Sequence, residues 1–193
     1  MTAKQLKKQS YKRAVIFIAV AFIVVAFTLL RQLTRPPATP IPSQQTIEGG
    51  ASYQGIAPGK SSADDVKEEF GEPDTTNDDK AMFFYNNNFS KYPNTFNFNA
   101  EGEVILVREI VPVDGVTFQQ LEEKYGKYEE KLYSPISSSG YDMFIHPSKG
   151  VSYLANETAG NVLEIWYFEP QSAQSFIANI APDYSFAPEE DSY

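Results

Sequence analysis

A short helix signal and the strand signals behind it recur in the same order later in the chain, and this recurrence constrains the fold more than any other feature. Ala63, Val66 and Phe70 fall at i, i+3 and i+7, one apolar stripe of a helix, and Phe118, Leu121 and Tyr125 repeat that spacing 55 residues on. Ser61 or Ser62 caps the first helix and Asp64 and Asp65 crowd its first turn, while Thr117 and Gln120 form a capping box on the second. Gly71 and Gly126 follow the two stripes, where a left-handed residue ends a helix. Three strand-like runs come next each time: "AMFFY", "TFNFN" and "VILVREI", then "YDMFI", "VSYL" and "VLEIWYF". The last strand of each set is entered through a Gly-x-Val turn, Gly102-Glu103-Val104 and Gly160-Asn161-Val162. The expectation is an α+β fold of two αβββ repeats, residues 53–112 and 113–182, the second ending in a short helix through Ile180. A unit of one helix and three antiparallel strands covers a single sheet face, so two units side by side bury more apolar surface than either alone.

What precedes these units differs in composition. Ala14 to Leu30, "AVIFIAVAFIVVAFTLL", has Thr28 as its one polar residue, and as a helix it spans roughly 25 Å. The expectation is an uncleaved transmembrane helix over 14–30 behind a basic cytoplasmic segment, 1–13. Lys4, Lys7, Lys8, Lys12 and Arg13 precede the apolar run, so the positive-inside rule keeps the N-terminus cytoplasmic and places the rest outside the cell membrane. A Pro/Gly-rich linker fills 31–52, and an acidic tail, 183–193, ends the chain.

Charge and cysteine content exclude whole classes of function. Beyond Arg35 the chain carries nine Lys and Arg against all 25 Asp and Glu, about −16, which argues against nucleic acid because phosphate binding needs clustered cations. The absence of cysteine rules out disulfides, thiolate metal sites, a Cys nucleophile and lipidation of an N-terminal Cys.

The segment "GIAPGKSSADDVKEEFGEPD", followed by an aromatic strand and "FNFNAEGEVILV", resembles the SmpA/OmlA type of small bacterial envelope lipoprotein domain, related in fold to the β-lactamase-inhibitor proteins. The match runs through Gly59, Ser62, Val66, Gly71, Pro73 and Gly102. Thr117, Leu121, Gly126 and Gly160 keep it in the second set, where Lys127-Tyr128 stands in place of a proline after the glycine. Together the two cover about 115 of the 193 residues. The resemblance implies a binding and assembly module of the cell envelope, here with a transmembrane anchor where the lipoproteins have an acylated Cys.

Catalytic and metal chemistry find little to stand on. His146, the one histidine, lies beside Pro147 at a strand end and reads as a turn residue; without Cys or a second His a zinc site has no ligand set. Asp64-Asp65 and Glu68-Glu69 are adjacent pairs on a helix and diverge in direction, so they read as a solvated face rather than paired catalytic carboxylates. Asp74, Asn77, Asp78 and Asp79 lack the spacing of an EF-hand and read as a plain loop. The expectations are no catalytic residue, no cofactor and no metal.

Aromatic residues that a core does not need carry the functional expectation. Phe96 and Phe98 alternate with Asn97 and Asn99 as on a half-buried strand. Phe89 and Tyr92 instead lie between strands among Asn, Ser, Lys and Pro, and Trp166 shares a strand face with Glu164. Exposed aromatics anchor protein interfaces, so Phe89, Tyr92 and Trp166 are the expected partner-binding residues of a membrane-anchored, non-enzymatic module that binds another envelope protein. The alternative is a cell-wall glycan-binding or wall-modifying protein. A pilin-like subunit would share the apolar N-terminus, but its Gly-Phe-Thr-Leu-acid signature is missing.

Overall fold

Two helix starts are fixed by side chains that satisfy the free N–H groups of a first turn. In α1 (Ala63–Phe70) the Ser62 hydroxyl accepts from the Asp65 N–H and the Asp65 carboxylate accepts from the Ser62 N–H; in α2 (Phe118–Tyr125) Thr117 and Gln120 do the same. Both helices end at glycine, Gly71 with φ 82° and ψ −169°, Gly126 with φ 82° and ψ −178°. That is not the left-handed helical cap the sequence suggests; it is an extended positive-φ conformation that is nearly glycine-only.

The computed structural model describes residues 50–188. Around α1 and α2 it arranges β1 (Thr75–Thr76), β2 (Met82–Tyr85), β3 (Asn94–Phe98), β4 (Val104–Ile110), β5 (Glu130–Leu132), β6 (Asp142–His146), β7 (Val151–Asn156), β8 (Asn161–Phe168) and α3 (Ala173–Asn179). The strands form one antiparallel sheet in the order β1-β2-β3-β4-β8-β7-β6-β5.

Register places a row of side chains, Phe83, Phe96, Val107, Tyr167, Val151 and His146, across six strands on one face. Val66 and Phe70 of α1 and Phe118, Leu121 and Tyr125 of α2 pack onto the core that this row helps to form. Each large apolar side chain buried there stabilises the fold by roughly 1.5–3 kcal/mol. The opposite face is closed over β5 to β8 by α3 and the residues after it: Phe176, Ala181, Ile177 and Tyr184 meet Leu132, Met143, Ile145, Leu154, Trp166 and Phe168.

These findings correct the expected fold class. Two αβββ repeats are replaced by one eight-stranded sheet flanked by three helices, and the tandem-repeat reading is corrected with it. β4 and β8, each apolar and long, would leave open edges in separate units; pairing Leu106–Ile110 with Glu164–Phe168 closes both. β1 and β5 have two and three residues and no apolar period, so no strand pattern marks them. The expectation of a single-pass cell-membrane helix is corrected to what is described: among the described residues no helix is long and apolar enough to cross a bilayer. Ala14 to Leu30 and the basic segment before it lie outside the described residues.

Smaller corrections follow from packing. Ala51, at the end of the expected linker, packs into the fold, and its N–H donates to the Lys149 carbonyl at 2.8 Å. The chain stays packed beyond α3, because Tyr133 and Ser185 exchange backbone hydrogen bonds. His146 is not a turn residue; it ends β6, fully buried on the face that α2 covers.

Candidate functional site

The loop from Asn86 to Pro93 joins β2 to β3, and its conformation is built by short polar side chains. Asn87 is the brace. Its Oδ1 accepts from the Ser90 N–H at 2.8 Å and the Phe89 N–H at 3.4 Å, and its Nδ2 donates to the Tyr92 carbonyl at 2.9 Å. Ser90 Oγ then accepts from the Tyr92 N–H at 3.0 Å. At the loop's base the Asn86 N–H donates to Asp74 Oδ2 at 2.7 Å, and the Tyr85 hydroxyl donates to the Gly71 carbonyl at 2.8 Å. Asn and Ser favour such local side-chain to backbone bonds, which replace the ladder a loop lacks.

The consequence is that Phe89 and Tyr92 are held outward, 48% and 60% exposed, with the Lys91 ammonium 4.9 Å from the centre of the Tyr92 ring. Both residues are therefore exposed on one loop, as the sequence predicts. Asn87 and Asp74 were not singled out as supports; the run of three asparagines in a loop was the available signal.

Trp166 does not join them. It is 6% exposed on the face covered by α3, with Tyr184 edge-on at 6.0 Å and Phe176 at 6.3 Å. Its indole N–H donates to Glu164 Oε2 at 2.7 Å, the same oxygen that accepts from Arg108 at 2.8 Å, and the Arg108 guanidinium stacks 4.6 Å from the ring. The expectation of an exposed Trp166 is corrected: strand parity placed it beside Glu164, and the segment after β8 folds back over that face.

The polar residues of the other face serve the fold. His146 Nε2 lies 3.4 Å from the Tyr153 hydroxyl; burial, aided by the Lys149 ammonium and opposed by Glu129, pushes the imidazole down to about 4, so it is neutral near pH 7. Glu109 takes the Tyr167 hydroxyl at 2.8 Å, and burial raises its carboxyl above the ordinary carboxylate value despite that bond and the nearby Lys124. Asn77 Oδ1 accepts from the Met82 N–H at 2.8 Å, which gives the acidic loop a structural task. Among the described residues no three His, Asp or Glu side chains gather as metal ligands would.

No family model matches the chain, and no curated protein matches it. Among solved structures it is similar to a DUF4309 family protein, YjgB, from Bacillus subtilis subsp. subtilis str. 168: 18% identity, 64% of this chain and 90% of that one, TM-score 0.48. It is also similar to an extracellular protein containing an SCP domain from Bacillus anthracis str. Ames: 12% identity, 81% of this chain and 56% of that one, TM-score 0.46. At these scores neither similarity carries an argument about function. Neither protein is described as SmpA/OmlA-type or as a β-lactamase inhibitor.

Proposed function

We propose that the domain is a non-catalytic module that binds another protein through the loop bearing Phe89 and Tyr92. One observation carries this reading: two large aromatic side chains are exposed together on a loop whose own hydrogen bonds hold them there. Left free to collapse, rings of this size would gain by turning inward. A loop already fixed in one conformation loses little freedom when a partner closes on it, and aromatic anchors of this kind account for much of the binding energy at interfaces. The partner this fits presents an apolar recess wide enough for a phenyl and a phenol ring. His146 supports the non-catalytic part, because it is enclosed, neutral and committed to Tyr153.

The test compares wild type with Phe89→Ala and Tyr92→Ala for capture of proteins from the native cell. Each substitution is expected to weaken capture roughly 30-fold, about 2 kcal/mol, while unfolding stays cooperative. Unchanged capture would sink the reading. Retention on purified cell wall that Tyr92→Ala abolishes would replace a protein partner with a glycan.

A further inference from the structure

β3 carries two short polar side chains on the face of the sheet opposite α1 and α2. Thr95 and Asn97 alternate with Phe96 and Phe98, which point into the core under the two helices. Their neighbours in register are longer: Phe84 and Arg108 flank Thr95, and Met82 and Leu106 flank Asn97. Two rows of long side chains about 10 Å apart, on β2 and β4, therefore border a trough whose floor is β3. α3 and the residues after it do not fill this trough. Their apolar contacts reach β4 to β8 but no residue of β2 or β3, and Met82 and Phe84 belong to neither apolar core among the described residues. Arg108 leans away from the floor, bonded to Glu164 and stacked on Trp166 of β8.

The floor is chemically incomplete. Thr95 is 8% exposed, yet its Oγ1 has no hydrogen-bond partner, and neither has the buried Oδ1 of Asn97. Enclosed polar atoms are nearly always paired, so two orphans on one strand point to a group that arrives from outside. Two residues of strand separate them by about 6.7 Å, the interval at which an extended peptide presents N–H and C=O groups along one edge. Such an edge supplies both kinds of partner: an N–H for Asn97 Oδ1, and a C=O or an N–H for the Thr95 hydroxyl. Arg108 is the one charged residue lining the trough and Glu164 neutralises it, so the floor favours neither a polyanion nor a polycation. β3 begins where the loop of Phe89 and Tyr92 ends, which puts a partner seated on that loop at the mouth of the trough.

We propose that the trough along β3 receives an extended, uncharged segment of the protein that docks on the Phe89 and Tyr92 loop. This rests on the reading of that loop as a docking surface. Alternate backbone groups of the segment pair with Thr95 and Asn97, and its side chains lie against Met82, Phe84 and Leu106. Phe84, half-buried beside Thr95, turns aside to admit it, a rotamer change of the kind that interfaces commonly make.

The test places a photo-crosslinking residue at Phe84 of the full-length chain in the native cell and, in separate cells, at Tyr92. The expected result is the same protein from both positions, with the adduct from position 84 mapping to one short stretch of it. A synthetic peptide of that stretch is then titrated against the purified chain, where Thr95→Val or Asn97→Leu should weaken binding about tenfold. The same substitutions should raise the denaturation midpoint of the free chain, because each removes an unpaired polar atom. An adduct from 92 with none from 84 would overturn the trough and leave the loop standing. Adducts from neither position, or from 84 alone, would overturn the loop and the trough together. Peptide affinity unchanged by Thr95→Val, a fall in the midpoint, or retention on purified cell wall that Asn97→Leu abolishes would each overturn the peptide occupant.

Discussion

The loop between β2 and β3 and the segment that follows β8 are both rich in aromatic residues, and they dispose of them in opposite ways. Phe176 and Tyr184 turn inward against Trp166 and Phe168, where burial does the work of holding the segment on the sheet. Phe89 and Tyr92 turn outward, and their loop is held by Asn87, Ser90 and Asp74 instead. The difference separates stability from availability. Where apolar contact fixes the segment, Phe176 and Tyr184 are spent on the core, with Phe186 beyond them 46% exposed; where polar side chains fix the loop, both of its rings are left for something else.

The largest effect that could break this contrast lies in the inward segment. Phe176→Ala is expected to cost about 3–5 kcal/mol through lost burial and the cavity left behind, read as a fall in the denaturation midpoint. A loss below 1 kcal/mol would mean α3 is not part of the core.

A second test uses pH and leaves both segments intact. The folded value of His146, about 4, lies below the 6.5 of a free imidazole, so between these values the unfolded chain takes up a proton that the folded one refuses. Its contribution is fully present above pH 6.5 and is lost as pH falls towards 4, by up to about 2 kcal/mol after allowance for solvent screening. Glu109 acts in the opposite sense. Thermal unfolding across this window should therefore show a shallower acid loss in His146→Gln than in wild type, and the same loss in Tyr92→Ala as in wild type.

Smaller effects belong to the outward loop. Asn87→Ala removes the brace and should cost on the order of 1 kcal/mol, with faster amide exchange confined to residues 88–92. Phe89→Ala and Tyr92→Ala should change stability by less than about 0.5 kcal/mol, as exposed positions do. If either destabilised the domain as Phe176→Ala does, the outward rings would be packing, and the contrast would fail.

How much of this was legible depended on range. The caps at Ser62 and Thr117, the stripes Val66-Phe70 and Phe118-Leu121-Tyr125, and the six longer strands rest on residues close in sequence, and local spacing reports them. The pairing of β4 with β8 is non-local, so the same spacing read as two units when the molecule has one sheet. Phe89 and Tyr92 were legible because their neighbours Asn, Ser, Lys and Pro offer no apolar period. Trp166 was misread because its exposure is decided by Phe176 and Tyr184, residues that no alternation within β8 can reveal. Glu109 gave no sign of its setting, since one acid in "VILVREI" looks like the polar side of a strand and its partner Tyr167 lies 58 residues away.

The claim that the outward loop is a docking surface is tested most directly by placing a photo-crosslinking residue at Tyr92 and, as a control, at Val113, which is 97% exposed but lies outside that loop. In the native cell the account predicts a discrete protein adduct from position 92, lost when Phe89→Ala is added, and none from position 113. Equal labelling at the two positions, or an adduct from 113 alone, would contradict it.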